Sequence, residues 1–301
     1  MARIEIQKTY KIYIGGQFPR TESGRYYPLK NKNSSKGRTS GDVIANICLS
    51  SRKDFRNAEV AARGAQSGWG SRAAFNRAQI LYRIAEMLEG RKEQFISELV
   101  LQGSTLAAAK QEVETSIDRM VYYSGWCDKF QAIYSSVNPV ASSHFNFSVP
   151  EPTGVVAIIA DENTSLLGLV TAIAPVIAGG NTCVVLASET KPLCAVTFAE
   201  VLNSSDLPGG VVNILTGTSA ELHEHFSNHM DVNAVIYYRN NKAEIKTIKE
   251  NASLNVKRVF IYNKINITTE KAQSPYFIFD TQEIKTTWHP IENIGTSKAG
   301  Y

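Results

Sequence analysis

The sequence has 301 residues, of which 43% are hydrophobic and 20% charged, values typical of a globular protein that folds in water. This length is sufficient for one large or two modest hydrophobic cores. The formal net charge of +4 gives little support for a polyanionic partner. Six Lys or Arg residues lie among Gly, Ser and Asn in residues 20–38, and we predict a solvated loop there rather than a nucleic-acid site.

The sequence offers no segment suited to secretion or to a membrane. The opening residues, MARIEIQKTY, lack the apolar core of a signal peptide. The longest apolar run, residues 166–178, is too short to span a bilayer and contains Pro175. The four cysteines of the sequence are widely spaced and form no CxxC pair. We therefore expect a cytoplasmic protein with reduced thiols and no membrane contact.

The first half of the chain is predicted to be mostly helical. Residues 1–50 suggest an irregular arm with short strand-like pieces, and a first helix, capped by Asp54, is expected to run to about Gln66. Apolar residues at helical spacing predict one further helical segment around residues 77–103 and another over residues 106–130. Two short alternating pieces in residues 132–152 predict an extended hairpin.

The second half alternates strands with helices. Helices are expected to begin near Ser165, Lys191, Ser219 and Lys242. The five predicted strands read GVVAIIA, NTCVVLA, GVVNILTG, NAVIYY and KRVFIY. Continuous apolar strands separated by helices indicate a parallel sheet covered on both faces, so we predict an α/β fold with a Rossmann-like, doubly wound sheet of about five strands. A further strand is expected at about residues 283–289.

Ligands of such sheets bind at the carboxyl ends of the strands. The first predicted strand ends in Asp161, Glu162 and Asn163, but no GxGxxG fingerprint and no P-loop motif occurs in the sequence. Because adjacent residues leaving a strand point in different directions, Asp161 and Glu162 are not expected to form an acid–base pair, and a solvated turn is the preferred interpretation.

The spacing of three histidines raises the question of a metal site. His225 and His229 share one face of a predicted helix, whereas His223 points elsewhere, and no Glu follows His225 as it does in HExxH. A surface helix is the preferred interpretation, and we predict no metal site.

Several motifs, in order, resemble the coenzyme-binding domain of aldehyde dehydrogenases. They read EPTGVVAIIADENTSLLG, APVIAGGNTCVVLASETKPL, DLPGGVVNILTG and HMDVNAVIYY, preceded by YIGGQF and YYSGWCDK and followed by DTQEIKTTW. The resemblance implies four parts: an N-terminal arm and helices of the coenzyme-type domain (1–131), an oligomerisation hairpin (132–152), the Rossmann-like domain (153–262), and a linker with a subunit-pairing strand and polar tail (263–301).

The resemblance also implies roles for three residues. Asn163 is what remains of the family motif whose amide donates to the oxyanion of the reaction intermediate. Glu189 matches the residue that reaches the adenosine ribose of NAD or NADP. Asn240 lies in the turn that approaches the cofactor pyrophosphate, where the preceding family glycine is replaced by Arg239, a bulky side chain at a point of close backbone approach.

Two residues that carry out the family's reaction, the general base and the nucleophile, are absent from this sequence. The general-base motif aligns with residues 262–266, which read YNKIN, and no cysteine follows Cys194 to act as the nucleophile. The sequence passes within a few tens of residues to the segment that resembles the subunit-pairing strand. This combination resembles the second, cysteine-lacking unit of tandem aldehyde dehydrogenases, with the catalytic domain missing.

Two main hypotheses follow. The preferred one is a catalytically inactive structural or regulatory subunit, assembled as a homo-oligomer or with an active aldehyde dehydrogenase, without nucleic acid or membrane. The alternative is an NAD(P)-binding oxidoreductase of the same superfamily with residual or altered activity, for which Glu189 and Asn163 argue. The sequence leaves open whether NAD or NADP still binds.

Overall fold

The computed structural model describes residues 7–31 and 41–291. The α-helices in this part of the chain are α1 (Arg52–Gly70), α2 (Ala74–Gly90), α3 (Lys92–Leu101), α4 (Leu106–Ser124), α5 (Phe130–Tyr134), α6 (Leu167–Ala178), α7 (Leu193–Asn203), α8 (Ser219–Asn228), α9 (Lys242–Ser253) and α10 (Tyr276–Phe279). The strands are β1 (Thr9–Tyr10), β2 (Tyr26–Lys30), β3 (Val43–Cys48), β4 (Ser136–Asn138), β5 (His144–Pro152), β6 (Val155–Ile159), β7 (Thr182–Leu186), β8 (Val212–Leu215), β9 (Ala234–Tyr237), β10 (Arg258–Ile261) and β11 (Gln282–Pro290).

A five-stranded parallel sheet in the order β10-β9-β6-β7-β8 forms the centre of the fold. The predicted doubly wound α/β architecture is confirmed. The chain runs from β6 outward to β7 and β8, then returns to the other side of β6 for β9 and β10. The order therefore reverses between β6 and β9, and the carboxyl ends of these two strands border the crevice where such sheets bind ligands.

Hydrophobic cores cover both faces of the sheet. Val155, Ala157 and Ile159 of β6 pack into the core beneath α1, α8 and α9, whereas Val156 and Ile158 join the larger core beneath the other helices. All five residues are fully buried. This alternation follows the period-two geometry of a strand, and burying each branched side chain contributes about 1.5–3 kcal/mol.

The N-terminal arm is more regular than predicted. Strands β1, β3 and β2 form a three-stranded sheet, and Tyr13 pairs with Ile214 at the edge of the central sheet. Strand β2 falls within residues 20–38, so the prediction of a loop is wrong for Tyr26–Lys30; residues 32–40 lie outside the described part. The N-cap of α1 is Ser51, and the predicted cap Asp54 completes a capping box with it.

Two predicted long helices are interrupted at glycines. The segment expected over residues 77–103 divides into α2 and α3 after Gly90, and the helix expected over residues 106–130 stops at Ser124, before Gly125. Glycine lowers helix propensity because it loses more backbone entropy than other residues. Among the described residues, no helix combines the length and apolar character needed to cross a membrane.

The predicted hairpin and late strand form a separate three-stranded antiparallel sheet in the order β11-β5-β4. Strand β11 pairs with β5 of the same chain along its full length, from Gln282 opposite Pro152 to Pro290 opposite His144. The linker before it is ordered, because buried Arg119 donates to the carbonyl oxygens of Ile267 at 2.8 Å and Thr269 at 3.1 Å. The predicted polar tail from residue 292 lies outside the described residues.

Candidate functional site

The candidate site is the crevice at the carboxyl ends of β6, β7 and β9. The residues that follow these strands come from three distant parts of the sequence, and the parallel sheet brings them to one edge. Asp161, Glu162 and Asn163 follow β6, Glu189 follows β7, and Arg239 follows β9. This is the edge where the order of the strands reverses, so it is the position at which a doubly wound sheet normally receives its ligand.

Arg239 fills this crevice. Its guanidinium donates to the carbonyl oxygens of Ala160, at the end of β6, and Ala187, at the end of β7, each at 3.0 Å. It also forms ion pairs with Glu189 and, at 3.2 Å, with Glu162. Only 9% of its side chain is exposed. Because the guanidinium is planar and carries five donors, this one side chain from the end of β9 contacts acceptors at the ends of β6 and β7 at once.

Glu162, in the loop after β6, hydrogen-bonds to the loop after β7. Its carboxylate accepts hydrogen bonds from the Ser188 hydroxyl, from the backbone N–H of Glu189 and from both the N–H and the hydroxyl of Thr190. Burial alone would raise the pKa of Glu162, but the Arg239 charge and these hydrogen bonds outweigh it and hold the pKa below its usual value. Glu162 therefore remains ionised near neutral pH, and the predicted solvated turn is wrong for this residue.

Glu189, the residue implied to bind the cofactor ribose, is engaged within the protein. One carboxylate oxygen pairs with Arg239 and also accepts the backbone N–H of Ser219, at the first turn of α8, at 2.6 Å. A negative charge at a helix N-terminus is stabilised by the helix dipole. The structure thus places Glu189 beside the crevice as expected, with its acceptor oxygen already bound by Arg239 and α8.

Asn163, the implied oxyanion donor, is exposed, and its side-chain amide donates to Asp161 at 3.1 Å. Asp161 also accepts the backbone N–H groups of Asn163 and Thr164, so it closes its own loop. Asp161 and Glu162 therefore point to different partners, as the adjacent positions predicted. The amide of Asn163 is therefore hydrogen-bonded within its own loop.

Asn240, the second residue implied to bind the cofactor, is also exposed. Its side-chain oxygen accepts a hydrogen bond from the Asn263 amide at 3.1 Å, over the end of β10. The helix that follows is capped by the next residue, because the Asn241 side chain accepts the backbone N–H groups of Ala243 and Glu244. Asn240 therefore lies beside the crevice and outside the Arg239 cluster.

The four helices that follow β6, β7, β8 and β9 all have a first-turn N–H bound by a side chain of this protein. Glu112 accepts three consecutive N–H groups at the start of α6, and Gln102 accepts Leu193 N–H at the start of α7. Glu189 accepts Ser219 N–H at the start of α8, and Asn241 accepts Ala243 N–H at the start of α9. Helix N-termini are the usual binding sites for phosphate groups in such sheets. Sequence reasoning missed Glu112 and Gln102 because both lie in the N-terminal half.

The four cysteines of the sequence are buried free thiols, and none lies at the crevice edge described above. Burial raises the pKa of each one, and that of Cys127 to about 12. Because only a thiolate attacks a carbonyl effectively, none of them is poised as a nucleophile near neutral pH.

The three histidines of the predicted surface helix do not converge. His223 Nδ1 contacts the carbonyl oxygen of Ser219 at 2.8 Å, one turn earlier on α8. His225 lines an open pocket with Arg52 and Arg56, whereas the Nδ1 of His229 faces Glu59 of α1 at 3.9 Å.

Comparison with known proteins identifies relatives of the whole coenzyme-type region. The aldehyde dehydrogenase family model matches residues 30–262. Over 262 residues, covering 85% of this chain and 28% of the relative, the sequence is 31% identical to the cytosolic 10-formyltetrahydrofolate dehydrogenase of Mus musculus. It is 29% identical to the mitochondrial 10-formyltetrahydrofolate dehydrogenase of Homo sapiens, over 93% of this chain and 30% of that protein.

The fold is similar to that of solved aldehyde dehydrogenases. The NAD+ complex of aldehyde dehydrogenase from Bacillus cereus superposes with a TM-score of 0.78 and 25% sequence identity, over 84% of this chain and 50% of that one. The chain therefore spans half or less of these relatives, and the activity of a complete relative does not transfer with the similarity. The relatives carry both cytosolic and mitochondrial names, so the cytoplasmic location stays a prediction.

Proposed function

The chain belongs to the aldehyde dehydrogenase family, and we propose that within this family it acts as a catalytically inactive structural or regulatory subunit. Its assembly would be a homo-oligomer or a complex with an active aldehyde dehydrogenase. The observation that carries the proposal is the position of Arg239, which pairs with Glu162 and Glu189 inside the crevice. The retained fold and the occupied crevice together favour a role in assembly over a role in chemistry.

The charge of the crevice argues against a bound dinucleotide. One arginine and two carboxylates give a formal net charge of about −1 at the position where an anionic pyrophosphate would lie. A cofactor would have to displace a guanidinium that contacts four acceptor oxygens, and it would leave two carboxylates without their cation. Exposing such a cluster to a polyanion is unfavourable because like charges approach in a partly desolvated site.

The positions of the catalytic groups support the same proposal. A family member needs a thiolate and a carboxylate base near the crevice, whereas the cysteines of this sequence are buried with raised pKa values. The Asn163 amide, the one retained element of the oxyanion site, donates to Asp161. Such a protein would keep the family's assembly surfaces while its own crevice stays closed.

The antiparallel sheet offers the surface for assembly. Exposed apolar side chains lie on both faces of this sheet. The strand register puts Val137 of β4 and Phe145 of β5 on one face, and Ile284 and Trp288 of β11 on the other. A second subunit that packs on the first of these faces would bury Val137 and Phe145, and strand pairing could extend the edges of the sheet. Since the resemblance assigns the hairpin and late strand to oligomerisation, we propose this sheet as the contact with the partner subunit.

A second candidate function is NAD(P) binding with residual or altered activity. It is favoured by the location of Glu189 at the end of β7 and by the NAD+ complex known for the similar Bacillus cereus enzyme. In this function Arg239 would swing out of the crevice and contact the cofactor phosphates. Binding of NAD+ or NADP+ by the unmodified protein would favour this candidate.

The assembly role is tested by mixing the purified protein with an active, full-length aldehyde dehydrogenase from the same cell and analysing the mixture by size-exclusion chromatography with light scattering. We expect the protein to elute as an oligomer, alone or with the active enzyme, and to show no aldehyde oxidation alone. A monomer that does not join the active enzyme would contradict the assembly role. Aldehyde-dependent NADH formation by the isolated protein would contradict the inactive assignment.

A further inference from the structure

Glu59 is a buried carboxylate without a hydrogen-bonded partner for one of its oxygens. It lies on α1, and its side chain is 2% exposed. Its Oε1 accepts no hydrogen bond from the described residues, and the nearest cation, the Nε of Arg63, is 4.0 Å away. A buried carboxylate normally accepts several hydrogen bonds or binds a metal ion, so the open oxygen of Glu59 requires an explanation.

Two further ligand-type side chains converge on Glu59. The Nδ1 of His229, at the end of α8, lies 3.9 Å from Glu59 Oε2 and has no hydrogen-bond partner among the described residues. Asp231, in the turn between α8 and β9, completes the group, and one ligand atom of each of the three residues lies within 4.8 Å of the others. Tetrahedral zinc ligands with bonds of about 2.0–2.2 Å are roughly 3.3 Å apart, so shifts of about 1 Å would bring these atoms into coordination distance.

We propose that Glu59, His229 and Asp231 bind a divalent cation of the Zn²⁺ class. One imidazole and two carboxylates are a ligand set that zinc accepts, and a fourth position would be left for water. The ion would join α1 to the α8–β9 turn. Its role would be structural, because the three residues lie outside the crevice built around Arg239.

The surroundings of the three side chains are compatible with this assignment. Burial and the nearby charge of Asp231 raise the pKa of Glu59, and a divalent cation would relieve this unfavourable interaction. Burial also lowers the pKa of His229, so its ring is neutral near pH 7, as a metal ligand must be.

Two neighbouring cations donate hydrogen bonds to groups other than these three carboxylate and imidazole side chains. Arg63 donates to the Asp231 carbonyl oxygen and to the Asn233 side chain, and Lys257 donates to the His229 carbonyl oxygen. These bonds engage the Nη2 of Arg63 and the Nζ of Lys257, while Arg63 Nε remains 4.0 Å from Glu59 Oε1. Glu59 Oε1 and His229 Nδ1 are left without a donor.

The inference departs from the sequence prediction of no metal site. The sequence reasoning tested His229 only against the other histidines of its helix, whereas its partners in the fold are Glu59, 170 positions earlier, and Asp231. Only the packing of α1 against the end of α8 brings these residues together.

The test is a titration of the chelator-stripped full chain with ZnCl₂ by calorimetry, together with Co²⁺ absorption spectra. Glu59→Gln and His229→Asn remove one ligand each, and His225→Asn, one turn earlier on α8, is the matched control. We expect one Zn²⁺ per chain for the wild type and the control, and at least about tenfold weaker binding for both ligand variants. Zn²⁺ should also raise the melting temperature of the wild type.

Absence of saturable Zn²⁺ binding by the wild type would overturn the proposal. Equal binding by the wild type and both ligand variants would also overturn it, since the ion would then lie elsewhere. Circular dichroism establishes whether each variant folds. If one ligand variant does not fold, the Co²⁺ spectrum of the other decides, because loss of the ligand-field bands is expected only when a ligand is removed.

Discussion

Arg239 and Glu189 form an ion pair that joins the end of β9 to the end of β7 across the intervening strand β6. The guanidinium passes over the end of β6 and donates to Ala160 on the way. Glu189 in turn accepts Ser219 N–H at the start of α8. One side chain thus connects three strand ends, and through Glu189 the N-terminus of a helix, at the switch point of the sheet.

The Arg239 cluster is expected to stabilise the fold. Arg239→Met keeps an unbranched apolar stem but leaves Glu162 and Glu189 without their cation. The free energy of unfolding should fall by about 1–3 kcal/mol, near the low end because both carboxylates are about one third exposed. Urea unfolding measures the change. The matched control, Arg25→Met, removes the exposed pair with Glu221 and should cost less than about 1 kcal/mol. Equal losses for the two variants would contradict this role.

Glu112 is expected to act as a distant cap for α6. The N-cap position of α6 is occupied by Leu166, which has no capping side chain, and Glu112 of α4 accepts three consecutive N–H groups instead. Glu112→Ala should lower the free energy of unfolding by about 1–2 kcal/mol. The control Glu114→Ala removes only a partly exposed ion pair with Lys92 and should change the free energy of unfolding by about 0.5 kcal/mol or less. The free energies of unfolding are measured by denaturant titration. Equal values for the two variants would refute the capping role.

Glu98 should make stability depend on pH. Burial raises the pKa of Glu98 to about 7, and the carboxyl accepts the Thr197 hydroxyl at 2.6 Å. Since the folded pKa lies above the unfolded value of about 4.3, the stabilisation is complete below pH 4 and is lost as the pH rises through about 7.

The variant Glu98→Gln removes this titration while retaining an oxygen for Thr197. It should be more stable than the wild type at pH 8.5, by on the order of 1–3 kcal/mol, and should lose that advantage toward pH 4. Thermal melts at several pH values measure the difference. A difference in stability that is constant between pH 4 and pH 8.5 would show that Glu98 is not the titrating group.

The hairpin sheet is expected to mediate assembly through its apolar side chains. Placing a carboxylate at both Val137 and Phe145, which are 67% and 45% exposed, should disrupt contacts that bury them. Light scattering should then report the mass of one chain, whereas Phe75→Asp, at an equally exposed position on α2, should leave the oligomer intact. A wild-type protein that is already monomeric, or a double variant that stays oligomeric, would argue against this surface.

The sequence was a good guide to the central sheet because each strand is a continuous apolar run and each following helix has its own periodicity. All five strands from Val155 to Ile261 were predicted in order. The resemblance also directed attention to Glu189 and Arg239, which do lie together. Their pairing with Glu162 was not predicted, since it depends on strand order in space and on the rotamer of a long side chain.

The least predictable features connect distant parts of the chain. Glu112 and Gln102 lie 53 and 91 positions before the backbone groups that they bind, and no local pattern marks them as caps. Strand β11 pairs with β5 of the same chain, 138 residues before it at Ser148–Thr286, while its pairing between subunits stays a prediction. Such contacts follow from packing, which local periodicity does not encode.

The most direct test of the central claim is calorimetric titration of the wild-type protein with NAD+ and with NADP+. A crevice occupied by Arg239 predicts no saturable heat at cofactor concentrations up to about 1 mM, which corresponds to binding weaker than about −4 kcal/mol. Thermal shift in the same buffers should show no stabilisation. Saturable binding of either cofactor at micromolar concentrations, with a rise in melting temperature, would contradict the account and favour an NAD(P)-binding oxidoreductase.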